Sequence, residues 1–449
     1  MKKIFQYIML AVVTIVMASC TSDIEETTTT TGKNNVQLVV GEFPAFGDSQ
    51  TRAIGTTDEG KTSWAEGDEL LLEIDNTSYG KQYATFTYNG KSWELTSGEL
   101  VYREGDPAYI PHVYYAPNYK WEAGKLVLKE GKDPGTDEYI EGNARISGNG
   151  EDINVSFAEA TRNYSRLRIA TMPNKPITVA ISKYTPAGSS DMKWDQNYAL
   201  TSDEKGNAYL YGTFENNSEV TVKYREATLA THTFLQKTEN AMSYALDATV
   251  ISVNSAEEIK SAIEQKVADG KTTIRLNLAP NAGTNEFMAI REAIKGAAPN
   301  DLGTIELTII GVETIPKEAF YKMLQLKSVR MSDVKEIKKY AFKECQYLTV
   351  VEAPSLNKLC SGAFKKCDQL AKLTFGPINY ADERNWPIFE YITPNIDLIL
   401  SDYQKEMIET DSYLYTANND RDYAGSDEHN SKNFLGREFR SITCRYKVE

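Results

Sequence analysis

Apolar and polar residues alternate with a period of two through much of the stretch from residue 36 to residue 253. Val36, Leu38 and Val40 form one such run, Leu70, Leu72 and Ile74 a second, and Ala84, Phe86 and Tyr88 a third. A strand sends successive side chains to opposite faces, so this period predicts half-buried β-strands. Asn89-Gly90 follows the third run and predicts a tight hairpin, since both residues tolerate the positive φ that such a turn requires. Further strands are predicted at 153–157, 167–171, 177–181, 208–214 and 220–224. Short strands parted by turn residues, with no helical period between them, predict β-sandwiches. The stretch exceeds two hundred residues, which is too long for one small sandwich. Two domains are therefore expected, at 36–155 and 156–253.

From residue 254 the period changes. Ser255-Ala256-Glu257-Glu258 predicts a capped helix start, with Ile259, Ile263 and Val267 on one face and Gly270 as its stop. A strand at 274–278, a helix carrying Phe287, Ile290 and Ile294, and a strand with Ile305, Leu307 and Ile309 follow. Then Ala319-Phe320, Ala341-Phe342 and Ala363-Phe364 recur at a step of 22 residues. Other apolar columns keep that step: Ile315, Ile337 and Leu359; Met323, Cys345 and Cys367; Leu326, Leu348 and Leu370; Val329, Val351 and Leu373. Each unit reads as a helix or tight turn at the Ala-Phe pair, then a Leu, then a short strand. No unit of this kind buries its apolar side alone, so the units must stack as a solenoid. Ile396, Leu398 and Leu400 predict a last strand, and 401–416 a helix. The form I-x-x-x-A-F-x-x-C-x-x-L-x-x-V resembles the BspA-like class of leucine-rich repeats. The expected fold is multidomain: two all-β domains followed by an α/β leucine-rich-repeat solenoid of about six coils, with caps, over 254–449.

The first residues carry different information. Lys2 and Lys3 precede an apolar run from Ile8 to Met17, which is too short for the ~20 residues that span a bilayer. Met17-Ala18-Ser19-Cys20 resembles the lipobox of bacterial lipoproteins, which implies a signal peptide at 1–19 and lipid attachment at Cys20. The Thr-rich segment 20–35 has too little apolar surface to pack and reads as a tether. Asp23, Glu25 and Glu26 close behind the cysteine resemble a signal for the outer face of an outer membrane. With this leader and first strand, Thr51-Arg52-Ala53 and Ser63-Trp64-Ala65-Glu66-Gly67-Asp68-Glu69-Leu70 resemble the fimbrillin superfamily. That resemblance implies β-sandwiches for roughly residues 36–250, and it makes Arg52 a candidate processing site before donor-strand assembly. A further domain after the sandwiches fits a tip or stand-alone surface protein better than a polymerising subunit. In the Trp-x-x-Gly-Asp core, Gly67 should permit a tight turn, Asp68 should accept from nearby amides, and Trp64 should cover the end of the sandwich.

Charge narrows the partners. The chain carries 49 Lys and Arg against 63 Asp and Glu, a net of −14. Such a polyanion repels nucleic acid. No nucleophile elbow, phosphate loop, dinucleotide fingerprint or zinc motif is present, so no catalytic residue, metal ligand or cofactor is assigned. His112, His232 and His429 are scattered, and the acidic loop with Asn418, Asp420, Asp422, Asp427 and Glu428 lacks the glycine of a calcium loop. Cys345 and Cys367 share a column, which leaves a disulfide open but favours two buried thiols. Cys360 and Cys444 have no spacing that implies a partner. In the repeat strands, Ser328 and Arg330, Val350 and Glu352, and Lys372 and Thr374 should face solvent as a ladder. The expected function is that of an outer-membrane surface lipoprotein, held by lipid on Cys20, that acts as an adhesin or protein-interaction module through its repeats. A fimbrial accessory or tip subunit, which would have fimbrial subunits as partners, and a glycan-binding lipoprotein are the alternatives. Host or neighbouring-cell proteins or glycans are the expected partners.

Overall fold

The computed structural model describes residues 36–48, 61–102, 112–149, 152–225, 227–382, 388–401, 433–435 and 437–446. The signal peptide, the tether with Cys20, Arg52, the helix expected at 401–416, the acidic loop and His429 lie outside the described residues. Two compact units emerge. The first comprises the described residues of Met1–Ala45, Glu59–Asp133 and Glu138–Arg162, and the second those of Phe46–Asp58, Pro134–Asp137 and Asn163–Glu449.

The strands of the N-terminal half, in chain order, are β1 (Val36–Val40), β2 (Gly47–Asp48), β3 (Glu69–Asn76), β4 (Gly80–Tyr88), β5 (Trp93–Gly98), β6 (His112–Tyr115), β7 (Tyr119–Glu122), β8 (Lys125–Leu128), β9 (Ile140–Asn149) and β10 (Asp152–Thr161). In the first unit they form a sheet of order β1-β10-β9-β6-β3-β4-β5, with β7 and β8 as a separate hairpin. The two end strands of the sheet come into contact, so the sheet curls around its core. Leu70, Leu72, Ile74, Phe86 and Val113 fill that core, each at most 1% exposed. The hairpin expected at Asn89-Gly90 joins β4 to β5, with Tyr88 opposite Trp93. Gly67 adopts φ +90°. Asp68 accepts from the Ala65 amide at 2.7 Å and from the Tyr115 hydroxyl at 3.1 Å, and pairs with Lys61 at 2.6 Å. Trp64 donates its indole N–H to the Gly41 carbonyl at 2.9 Å and meets Phe43, Trp93 and Tyr115 edge-on. Arg162 and Glu138 make a buried ion pair at 3.0 Å, with side chains 1% and 4% exposed. The strand β10 spans the boundary expected at 155–156 and stays in the first sheet.

The second unit opens with another curled sheet built from β11 (Ser165–Ala170), β12 (Pro176–Pro186), β13 (Lys193–Thr201), β14 (Asn207–Phe214), β15 (Ser218–Tyr224), β16 (Ala227–Phe234) and β17 (Met242–Asp247). Its order is β16-β15-β12-β14-β11-β17-β2, and β13 pairs with β12. The long strand β12 changes partners. Thr178–Ile181 pair with β15 and Tyr184–Pro186 with β14, while Lys183 between them takes φ +50°. This bend folds one sheet into two facing layers around Tyr184, Phe214, Val179 and Val220.

Three residues separate β17 from the solenoid. In order come β18 (Ile251–Val253), α1 (Ala256–Ala268), β19 (Thr273–Leu278), α2 (Thr284–Ala297), β20 (Ile305–Ile310), β21 (Thr314–Ile315), β22 (Leu326–Met331), β23 (Glu336–Ile337), β24 (Val350–Ala353), β25 (Lys358–Cys360), β26 (Lys372–Phe375), β27 (Tyr380–Asp382), β28 (Asp397–Ser401), β29 (Asn433–Phe434), β30 (Arg437–Glu438) and β31 (Ser441–Tyr446). The main sheet is a parallel ladder, β18-β19-β20-β22-β24-β26-β28-β31, and a second parallel ladder runs β21-β23-β25-β27. Ser255 caps α1 by accepting from the Glu258 amide at 3.2 Å, and Glu258 reaches back to the Asn254 amide at 2.6 Å. The remaining segment of each repeat is a tight turn with two left-handed residues: Glu318 and Lys322, Tyr340 and Glu344, Gly362 and Lys366. Bonds from Phe320 N to the Ala341 carbonyl (2.7 Å) and from Phe342 N to the Ala363 carbonyl (2.9 Å) tie each turn to the next. Inside, Phe320, Phe342, Phe364 and Phe389 stack at centroid spacings of 5.1, 5.4 and 5.7 Å. Cys345 and Cys367 are free thiols that donate to the carbonyls of Phe320 (2.9 Å) and Phe342 (3.0 Å). Burial pushes Cys345 up to about 12 and Cys367 well above the usual thiol range. At the far end, Phe389 meets Phe439 edge-on and Arg440 grips Asp397, joining β28 to β31.

Candidate binding surface

The parallel pairing lines up the outward residues of the main ladder in two columns. Thr273, Glu306, Ser328, Val350, Lys372 and Asp397 follow one another in register, and so do Arg275, Thr308, Arg330, Glu352, Thr374 and Ile399. All six residues expected to form a ladder thus fall into these columns. Five of them are partly or fully exposed, and Arg330 bonds Glu352 at 3.1 Å across adjacent coils. Ser328 corrects the expectation that all six face solvent, since it is only 3% exposed.

The cause is the neighbouring curled sheet, whose edge strand β16 lies against β20 and β22. Ile310 joins the core of that sheet, and Thr308 is 2% exposed. The Arg275 guanidinium donates to the Leu229 carbonyl and sits 3.9 Å from Asp247. Burial lowers the pKa of Arg275, with Asp247 opposing that shift. At the rim Arg225 pairs with Asp333 at 3.2 Å, and Asp333 also accepts from the Gly311 amide at 2.8 Å. A cation in this position needs an acid and a carbonyl around it, and both strands supply them. The early coils are therefore occupied on their outer side, and the open part of the ladder runs from β24 to β31.

Beside Arg225 and Asp333, the loops after β19, β20, β22 and β24 line an open cleft of about 660 Å³, with Glu313 and Lys335 paired at 2.6 Å on its wall. The sequence reading missed this cleft and the clamp, because Arg225, Arg275 and Asp333 come from segments far apart in the chain. Among the described residues, no group of three His, Cys, Asp or Glu comes close enough to hold a metal ion. His112 lies 3.6 Å from Glu141, and His232 lies exposed on β16, edge-on to Phe234, its pKa lowered by desolvation.

A β-rich half followed by stacked parallel coils defines a multidomain protein with a leucine-rich-repeat solenoid. Residues 302–407 match the family described as BspA type leucine rich repeat region, in six copies, so this stretch is a leucine-rich-repeat region of that type. No curated protein matches the chain. Among solved structures, the chain is similar to a Bacteroides fragilis protein described as a "putative cell adhesion protein", with 10% identity and a TM-score of 0.27, over 48% of this chain and 92% of that one. At that identity and score the likeness carries nothing over to this chain.

Proposed function

We propose that this protein is a surface adhesin, anchored by lipid on Cys20 and exposed at an outer membrane, that binds protein partners through the open strands of its solenoid. The observation that carries this reading is the registered ladder from Val350 and Glu352 through Lys372 and Thr374, which leaves a flat face of mixed charge on a rigid backbone. Such a face recognises a folded protein through many small contacts, and loop flexibility is not required. The test is binding of the full chain to a panel of immobilised matrix proteins and intact cells, with Glu352→Arg and Lys372→Glu as variants. Loss of binding in both variants, with unchanged melting, supports the ladder. Wild-type binding in both sinks it.

A fimbrial accessory or tip role is the second reading, and the position of β1 supports it. This strand is the edge of the first sheet, paired among the described residues with β10, and Arg52 follows it in sequence. Cleavage after Arg52 would detach β1 from the rest of the chain and free an edge for a donor strand. A mature N-terminus at Ala53, together with ladders on gels of purified outer membrane, is the result expected from it. A single monomer that begins at Cys20 argues against it.

A further inference from the structure

The repeats run against the charge of the chain. Residues 313–380 hold twelve Lys and Arg against seven Asp and Glu, a local net of +5 in a protein of net −14. Many of these cations lie on the turns that carry the Ala-Phe pairs. Bonds from Lys322 N to the Lys343 carbonyl (3.0 Å) and from Glu344 N to the Lys365 carbonyl (2.8 Å) hold successive turns in register. Two adjacent columns result, Tyr321-Lys343-Lys365 and Lys322-Glu344-Lys366. The Lys343 ammonium lies 5.2 Å from the Tyr321 ring centre and 4.9 Å from that of Tyr340. Lys322 lies 5.2 Å from the Tyr321 ring and Lys339 4.8 Å from the Tyr340 ring, while Lys365 lies 5.5 Å from Tyr391, which is 64% exposed. Acids are present too. Glu344 pairs with Lys322 and Lys343 at 3.5 and 3.6 Å, Glu318 with Lys317 at 3.5 Å, and Glu390 with Lys365 at 2.6 Å. Lys339 and Lys366 have no carboxylate partner among the described residues.

We infer that this strip of tyrosines and lysines binds an acidic polysaccharide. The rings of Tyr321, Tyr340 and Tyr391 offer apolar surface to sugar rings, and the ammonium groups beside them suit their carboxylates. The coil step of about 4.8 Å is close to the length of one pyranose unit, so a linear chain can keep register along the strip. An acidic peptide fits less well, because the amides of Phe320, Lys322, Phe342 and Glu344 already donate to the next coil and cannot serve a peptide backbone. The strip lies on turn residues, so it stands or falls apart from the strand ladder.

The experiment is binding of the full chain to immobilised hyaluronan, which carries one carboxylate per disaccharide, with neutral dextran and polyglutamate as comparisons. Hyaluronan should bind, dextran and polyglutamate much less, and about 0.5 M salt should weaken the complex. Lys339→Gln with Lys343→Gln should cost about tenfold in affinity, Tyr321→Leu about threefold, and Lys205→Gln, at an exposed turn between β13 and β14, nothing. Lys366→Gln, at an exposed position, serves as the independent variant if the double change lowers the melting temperature. Hyaluronan held no better than dextran overturns the proposal, as do lysine variants that bind like the parent. Polyglutamate bound equally tightly, with Tyr321→Leu silent, overturns it in favour of an acidic protein.

Discussion

Replacing Phe342 by Ala removes the middle ring of the stack inside the repeats. That ring is fully buried between Phe320 and Phe364, at centroid distances of 5.1 and 5.4 Å. Loss of its apolar transfer, plus the cavity that remains, should cost about 3–5 kcal/mol. The two ring pairs contribute about 0.5–1.5 kcal/mol each to that total. Phe342→Leu keeps most of the volume and should cost only about 1–2 kcal/mol. In a solenoid each coil touches only its neighbours, so the damage should stay local. A single melting temperature is a poor readout for a chain of several domains. Native-state hydrogen exchange is the better assay, read on the amides of Phe320, Lys322, Phe342 and Glu344 that bridge successive turns. Phe342→Ala should speed their exchange by about two to four orders of magnitude, and Phe342→Leu by about tenfold. Amides between β12 and β15 should not change. Acceleration below tenfold for the Ala variant, or equal effects of Ala and Leu, would refute the stacked-ring account.

The buried Arg162–Glu138 pair makes Arg162→Ala costly, about 3–5 kcal/mol, because Glu138 loses its cation; calorimetry should show the first unit melting earlier, and a milder effect when Glu138 is replaced by Leu as well. The buried thiols tie repeat stability to alkaline pH. Their folded pKa values are raised, so the contribution is complete below the unfolded thiol value near 9 and declines as pH rises towards about 12. Urea midpoints at pH 8 and pH 10.5 should therefore differ more in the parent than in a Cys345→Ala, Cys367→Ala variant, and equal differences would remove the thiols from the account. Arg275→Ala should expose the segment between β17 and β18 to limited proteolysis, by removing the bond to the Leu229 carbonyl; an unchanged digestion pattern would show that the apolar contact alone holds the joint.

Features set by neighbours in sequence were legible from sequence. The Asn89-Gly90 hairpin, the turn at Gly67 and Asp68, and the Ser255 cap depend on residues a few positions apart, and each appears where expected. The 22-residue columns were legible because repetition averages out local noise. Long-range pairings were not. Nothing in Val36–Val40 signals a parallel partner in β10, and nothing in Lys183 signals that β12 changes layers there. The left-handed turn positions were equally silent, since Glu318, Tyr340 and Lys322 stand where glycine would have marked them. Ser328 was misread for a related reason. A polar residue at an outward position looks the same in sequence whether water or another strand lies above it.

The clamp at Arg275 and Arg225 has a mechanical meaning. If the adhesive role proposed above holds, load on a bound partner passes through the protein's own folds. Tension applied at the far coils first meets parallel strands that touch only the next coil, so the array yields by peeling one coil at a time. The joint with the curled sheet resists differently, because Ile310, Arg275 and Arg225 must all slide together before it gives. The repeats are therefore the part of the second unit that should yield first under strain, while the short link after β17 lies behind the clamp.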